Sequence, residues 1–413
     1  MNARNYIGLY GSYFLCMAGI GFTLPYLSLY LRQQGLSDRA IGVVSTLAAL
    51  AGLVQFPAGV WSDRLRARKP FLIVALMLSA LATFLLRGVH GAMGLAVLVV
   101  LFAENGACRA TVESLAGAEA VHLAPPNQVG AALGALRFWR PIGIMAVALG
   151  GSVLAGRYGP GSILLPLAVV QTLAVVAALL IQEKPVGWAS FVGPPRHSGG
   201  PPSSAHPTMW RDGPLWAFVA AMVLFHAAAA PGGVYLGLFA KQDLDASDGF
   251  LPYIFIVMMV AWMVVVRPAG GLADRIGRKP LLLLAWTAMT VRLGLIAVAD
   301  SPQQILFIQV LDGVAQGLFG VLAGAWVTDR FADSRRAGEA QVLVGSCLVF
   351  GSALGPLLAG SLMESVGYRG LFDLLAATAG LATLIVLTLV PETLSAVGRG
   401  ESEVRQSPAN GRV

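Results

Sequence analysis

Apolar runs of about twenty residues follow one another along almost the whole chain, each ended by a short charged or glycine-rich break. No other feature constrains the fold as strongly. A hydrocarbon core of about 30 Å is crossed by about 20 residues of helix. Within it, every backbone N–H and C=O must be paired inside the segment or inside a closed barrel. Runs of this length therefore predict helices, and twelve are found, at 7–31, 40–61, 70–88, 91–113, 129–154, 161–182, 214–239, 249–272, 280–299, 302–326, 340–362 and 369–391. Charged residues make up 12% of the chain, against about 25% in soluble domains. The first run is longer than the apolar region of a secretory signal and no small-residue cleavage site follows it, so it reads as a retained span.

The 28 Lys and Arg exceed the 21 Asp and Glu, a balance that in a soluble chain would suggest nucleic acid. Here the basic residues collect on one side of the predicted spans: Arg4, Arg64, Arg66, Arg68, Lys69, Lys184, Arg275, Arg278, Lys279, Arg330, Arg335 and Arg336. The opposite loops hold few, such as Arg32, Arg87 and Arg369. The positive-inside rule then places both termini in the cytoplasm. The expected location is the cell membrane, multi-pass (the inner membrane in a Gram-negative bacterium). The partners are the lipid bilayer, a small-molecule substrate and protons, with no nucleic acid.

The chain also repeats itself. "PAGVWSDRLRARKP" (57–70) and "PAGGLADRIGRKP" (268–280) begin 211 positions apart, and each lies between two predicted spans. "NGACRATVESLAGA" (105–118) and "DGVAQGLFGVLAGA" (312–325) keep nearly the same offset, as do "GSVL" (151–154) and "GSLM" (360–363). Three matches in register imply two six-helix halves in parallel orientation, as in certain secondary transporters. The expected division is an N-terminal bundle over 1–183, a cytoplasmic linker rich in Pro, Gly and Ser over 184–213, a C-terminal bundle over 214–392 and a disordered cytoplasmic tail over 393–413.

With its twelve spans, central linker and Gly270-x-Leu272-Ala273-Asp274-Arg275-x-Gly277-Arg278-Lys279-Pro280, the chain resembles the major facilitator superfamily. The resemblance implies an all-α integral membrane fold of twelve transmembrane helices in two parallel-related bundles, acting as a monomer without cofactor or metal. It also implies a cytoplasmic gating motif: Gly59, Asp63, Arg64 and Arg68 in the first half, with Gly270, Asp274, Arg275, Gly277 and Arg278 in the second. In the family the aspartate pairs with arginines and faces a helix end across the interface of the halves. Gly59 and Gly270 are expected to allow close helix approach, and Gly277 a tight turn. The acids and their following arginines, Arg64 and Arg275, read as the latch; Arg66 and Lys69 read as topology anchors. The first copy departs from the motif, with Arg66 at the turn glycine and Pro70 one place late.

Charged side chains within spans are costly, and normally mark a pathway or a pair. Glu104, Arg109 and Glu113 fall in span four, Arg137 and Arg140 in span five, His226 in span seven, Arg292 in span nine and Asp312 in span ten. All eight are candidates for substrate binding or coupling. On a regular helix Arg109 and Glu113 share a face, while Glu104 lies half a turn from Glu113 and would serve a different site. Arg292 lies roughly 18 Å into its span and Asp312 roughly 15 Å into the next, antiparallel one. The two meet near mid-membrane, which predicts a buried ion pair. His226 also falls near mid-bilayer, as a titrating group or a hydrogen-bonded structural one.

"NGACRATVE", "RFWRPIG", "MTVRLG" and "ESVGYRG" resemble, more patchily, lactose permease and its relatives among proton-coupled symporters. That resemblance implies substrate held by Glu113 and Arg137, and Arg292 in a proton-coupling cluster. Asp312 and Ala315 replace the coupling histidine and glutamate, and Met258-Met259 stand where a sugar-binding acid would be. No sugar is expected; a looser likeness to phenylpropionate-type permeases, with three arginines against two acids in spans four and five, favours an organic anion. The leading expectation is thus a proton-coupled secondary transporter of a small organic solute working by alternating access. A drug–proton efflux antiporter is the alternative, although the Gly-Pro motif such exporters carry in span five stands here in span eleven, at Gly355-Pro356. Another class, a transporter-like membrane receptor or enzyme, has neither a P-loop nor a visible catalytic or metal-ligand spacing to support it.

Overall fold

A computed structural model describes residues 3–65, 67–123, 129–182, 211–330 and 337–393. Residues 184–210 of the proposed linker, residues 394–413 of the proposed tail, and Arg66 lie outside these ranges. The described chain is helical throughout, as a backbone surrounded by hydrocarbon requires. In the first half the spans run Ala3–Gln33, Asp38–Arg64, Arg68–Leu85, Ala92–Leu123, Val129–Tyr158 and Pro160–Leu179. The second half gives Gly213–Gln242, Leu251–Ile276, Arg278–Ala297 and Pro302–Arg330, followed by the long helix Ala337–Leu389.

That last helix settles the count. Its apolar stretch, Gly345–Leu389, has 45 residues and would reach about 67 Å if straight, over twice the hydrocarbon thickness. At Gly367 the backbone turns to φ 67°, ψ −179°, outside helical geometry. The two arms are spans eleven and twelve, joined by one residue instead of a loop.

Two other spans are broken, which periodicity did not predict. Span one stops at Met17 and restarts at Ile20. Span four stops at Phe102 and restarts at Ala107, and Ala103 takes an extended ψ of 165°. Both breaks lie at membrane depth, where irregular backbone is tolerated only against protein or a polar cavity.

Leucine, valine and phenylalanine side chains stud the outer surface: Phe307 is 73% exposed and Val264 67%. In a bilayer these are lipid contacts. The two halves meet along spans one, two and five of the first and seven, eight and eleven of the second.

Candidate functional site

A cavity of about 550 Å³ lies between the halves, within the range of small-ligand sites. The first half contributes Thr23, Glu104, Glu113, Arg137 and Arg140; the second contributes His226, Asp312, Gln316 and an apolar wall that includes Trp262 and Phe319. Six of the eight charged or titratable candidates therefore line one space.

Arg140 is the centre of the first-half cluster. Its Nη1 lies 2.8 Å from Glu113 Oε1 and 3.0 Å from Oε2, and its Nη2 lies 3.1 Å from Glu104 Oε1. This corrects the expected separation of the two acids. Helical spacing would put them on opposite faces, but Glu104 sits in the break of span four, so the regular rotation does not apply. Asn105-Gly106, a turn dipeptide inside an apolar run, was the available signal.

Arg137, three residues before Arg140, also faces the cavity and is exposed to it. Among the described residues no ion pair involves it. The cluster thus holds one guanidinium bound by two carboxylates and a second that is unpaired.

Arg109 is not part of this space. Among the described residues its side chain makes no ion pair with Glu113, and it turns behind the cavity wall, 1% exposed, into the break of span one. Its Nη2 packs against Gly19, its Nη1 donates to Thr23 Oγ1 at 3.3 Å, and the guanidinium lies 4.8 Å from the centre of the Phe102 ring. Arg109 therefore bridges the two broken spans. Among the described residues its Nε and Nη2 have no hydrogen-bond partner.

In the second half the expected ion pair forms: Arg292 Nη2 lies 3.0 Å from Asp312 Oδ2, with side-chain exposures of 1% and 8%. Arg292 Nε donates to Gln309 Oε1 at 2.9 Å and Nη1 reaches Met289 Sδ at 3.6 Å. Each nitrogen of the arginine has a partner behind the wall; Asp312 reaches the cavity, and among the described residues its Oδ1 is without a hydrogen-bond partner. His226 stands edge-on to Phe225 and Phe319, at 5.3 and 4.7 Å between ring centres, with Nε2 unpartnered at the cavity wall.

The gating motif is arranged differently from the expectation. Arg68, not Arg64, binds Asp63, at 2.8 Å, and reaches Glu119 Oε2 at 3.9 Å. Arg278, not Arg275, binds Asp274 at 2.8 Å and Asp329 at 2.7 Å. Arg64 and Arg275 are exposed. Each of these pairs closes within its own half, so the expected latch across the interface is not the arrangement adopted here. A Cβ on Gly59 or Gly270 would meet nothing within 4 Å, so neither glycine marks a close approach.

Gly277 does fulfil its expected role. Its φ is 102°, and a side chain there would collide with the Glu392 carboxylate, which accepts from the backbone N–H groups of Arg278 at 2.9 Å and Lys279 at 3.0 Å. Glu392 thus caps span nine from beyond the end of span twelve, a role no spacing in the sequence revealed. Lys69 is likewise more than a topology anchor: its Nζ donates to the carbonyls of Leu179 at 2.9 Å and Ile181 at 2.6 Å, closing the end of span six.

A family model described as the MFS_1 like family matches residues 6–374. An uncharacterized MFS-type transporter of Mycobacterium tuberculosis is 27% identical, with 94% of this chain and 92% of the relative covered. A putative sugar efflux transporter of Deinococcus radiodurans is 28% identical, with 86% and 90% covered. Among solved structures, the nucleoside transporter NupG superposes with a TM-score of 0.76 at 15% identity, covering 94% of this chain and 99% of that one. A D-xylose-proton symporter gives 0.71 at 15% identity, covering 94% and 98%. At such identities the structural likeness speaks for the fold.

Proposed function

The chain belongs to the MFS_1 like family and is a multi-pass membrane transporter rather than an enzyme; from that premise we propose that its solute is a small organic anion, moved by alternating access and coupled to protons. Arg137 carries this reading. Arg140 engages both Glu104 and Glu113, whereas Arg137 presents a guanidinium to the cavity with no ion-pair partner in contact among the described residues. A carboxylate fits that vacancy through two parallel hydrogen bonds. The facing wall, with Phe255, Met258, Trp262 and Phe319, suits the apolar body of such a solute. A sugar or a nucleoside, the solutes named for similar proteins, would leave Arg137 unpaired.

Coupling is assigned to Asp312. It lies between the cavity and Arg292, so departure of the arginine during the cycle would leave a buried carboxylate that takes a proton. The cavity at the interface of two repeat-related bundles suits rocking of the halves about a central site. The basic side carries the termini and, on this reading, faces the cytoplasm.

The test is uptake of labelled organic anions, neutral sugars and nucleosides into proteoliposomes, with and without a pH gradient. Gradient-driven accumulation of an anion, lost in Arg137→Lys, is expected. Transport of neutral solutes alone would overturn the anion. An export reading for apolar cations draws on the same aromatic wall and on the three cavity acids Glu104, Glu113 and Asp312. It requires cation efflux against an opposite proton flux and indifference to Arg137→Lys.

A further inference from the structure

The ends of the spans remote from the termini close on one another through glycines and one tyrosine. Spans two and eleven cross where Gly42 faces Gly360. A Cβ built on Gly42 would lie 3.2 Å from the Gly360 Cα and would strike the Pro356 carbonyl. Into this crossing span seven inserts Tyr235, fully buried. Its hydroxyl donates to the main-chain carbonyl of Asp38 at 2.9 Å. That hydroxyl also stands 2.9 Å from where a Cβ on Gly42 would be and 2.7 Å from one on Gly360. A methyl group at either glycine would displace it.

Two further hydroxyls cross between the halves in the same region. Thr46 donates to the Ala353 carbonyl at 2.6 Å, and Tyr26 to the Asp248 carbonyl at 2.7 Å. Gly249, beside Asp248, is seated 3.2 Å (at its Cβ position) from the Ser152 carbonyl of span five. The ion pairs nearby lie within single halves: Arg32 holds Asp38 at 3.1 Å, and Lys241 holds Asp248 at 2.8 Å. At the opposite end, the loop-motif pairs leave the halves untied.

We propose that Tyr235, seated between Gly42 and Gly360, is the latch of the gate remote from the termini, and that its hydroxyl must leave the Asp38 carbonyl before that side opens. One neutral hydroxyl–carbonyl bond adds little net stability. Three of them, reinforced by close-packed helices, hold while all are engaged and release together. Because these three bonds end on main-chain carbonyls, salt screening has little purchase on them. The latch stands whatever solute the cavity takes.

The test reads accessibility and needs no substrate. In the full chain with Cys16, Cys108 and Cys347 replaced by serine, a reporter is placed at the cavity wall by Ser45→Cys. A membrane-impermeant maleimide is then added from the side remote from the termini, in vesicles of fixed orientation. Tyr235→Phe keeps the ring and removes one hydrogen bond; labelling is expected to quicken about threefold to tenfold, with the parent rate unchanged by salt. Ser361→Ala, which loses only a bond to the Leu357 carbonyl of its own helix, is expected to label like the parent. A Tyr235→Phe rate equal to the parent overturns the proposal. Should that variant not yield folded protein, Thr46→Val, which removes the neighbouring hydroxyl bond to the Ala353 carbonyl and adds nothing at the helix crossing, is read in its place, a rate equal to the parent again overturning the proposal.

Discussion

Arg292 Nη2 and Asp312 Oδ2 stand 3.0 Å apart on consecutive antiparallel spans, and both side chains are all but excluded from solvent. Removing either partner strands the other in a low-dielectric interior. The expected cost is about 3–5 kcal/mol for Arg292→Ala or Asp312→Ala, with the double variant milder than either. Thermal unfolding in detergent checks the stability. Proton coupling is read separately: the double variant is expected to exchange solute across the membrane yet lose accumulation driven by a pH gradient. Retained accumulation in a well-folded double variant would remove the pair from coupling.

Arg137 and Arg140 separate binding from architecture. Arg137→Lys is expected to cut transport at least tenfold while leaving the melting temperature within about a degree, since no ion pair depends on it. Arg140→Lys, which breaks a two-carboxylate cluster, is expected to lower both. Equal effects of the two substitutions on stability would place Arg137 in the framework instead.

The second-half motif predicts an unequal response from its two acids. Asp274 is 68% exposed at its side chain, whereas Asp329 is 30% exposed and closer to the arginine. An exposed pair is worth about 0–1 kcal/mol. Asp274→Asn is therefore expected to leave folding nearly unchanged and Asp329→Asn to destabilise more, by melting temperature. The reverse order would return the principal role to the motif aspartate.

Glu392 closes the start of span nine with both carboxylate oxygens. Glu392→Ala is expected to cost about 0.5–2 kcal/mol, as loss of a helix cap does. Truncation before Glu392 should reproduce the loss, and truncation after Thr393 should not. Gly277→Ala, which sets a side chain at positive φ against the same carboxylate, is expected to destabilise at least as much.

The architecture was legible because the bilayer permits so few solutions. Span length, basic-residue bias and a repeat in register lead to two six-helix halves with little help from individual side chains. The Arg292–Asp312 contact was legible for the same reason, since depth along two neighbouring helices fixes where charges can meet. The first-half cluster was harder to read. Glu104 was assigned by a helical rotation that the break at Ala103–Gly106 cancels, and Arg109 by a shared face it leaves in order to pack on Gly19. Arg68 and Arg278 replace Arg64 and Arg275 as partners because only a folded turn brings them back beside the aspartates. Nor does any local pattern mark Tyr235, whose role depends on two glycines from helices far away in sequence.

Gly367 leaves no slack between spans eleven and twelve. A joint of one residue hands on an angle that a loop would absorb. Any tilt of span eleven at its crossing with span two is therefore imposed on span twelve, whose Leu374, Leu381 and Leu384 are 44%, 52% and 57% exposed on the lipid-facing surface. Opening the far side is then expected to displace lipid at span twelve, which makes the bilayer a mechanical load on the gate, and a stiffer or thicker membrane is expected to slow turnover.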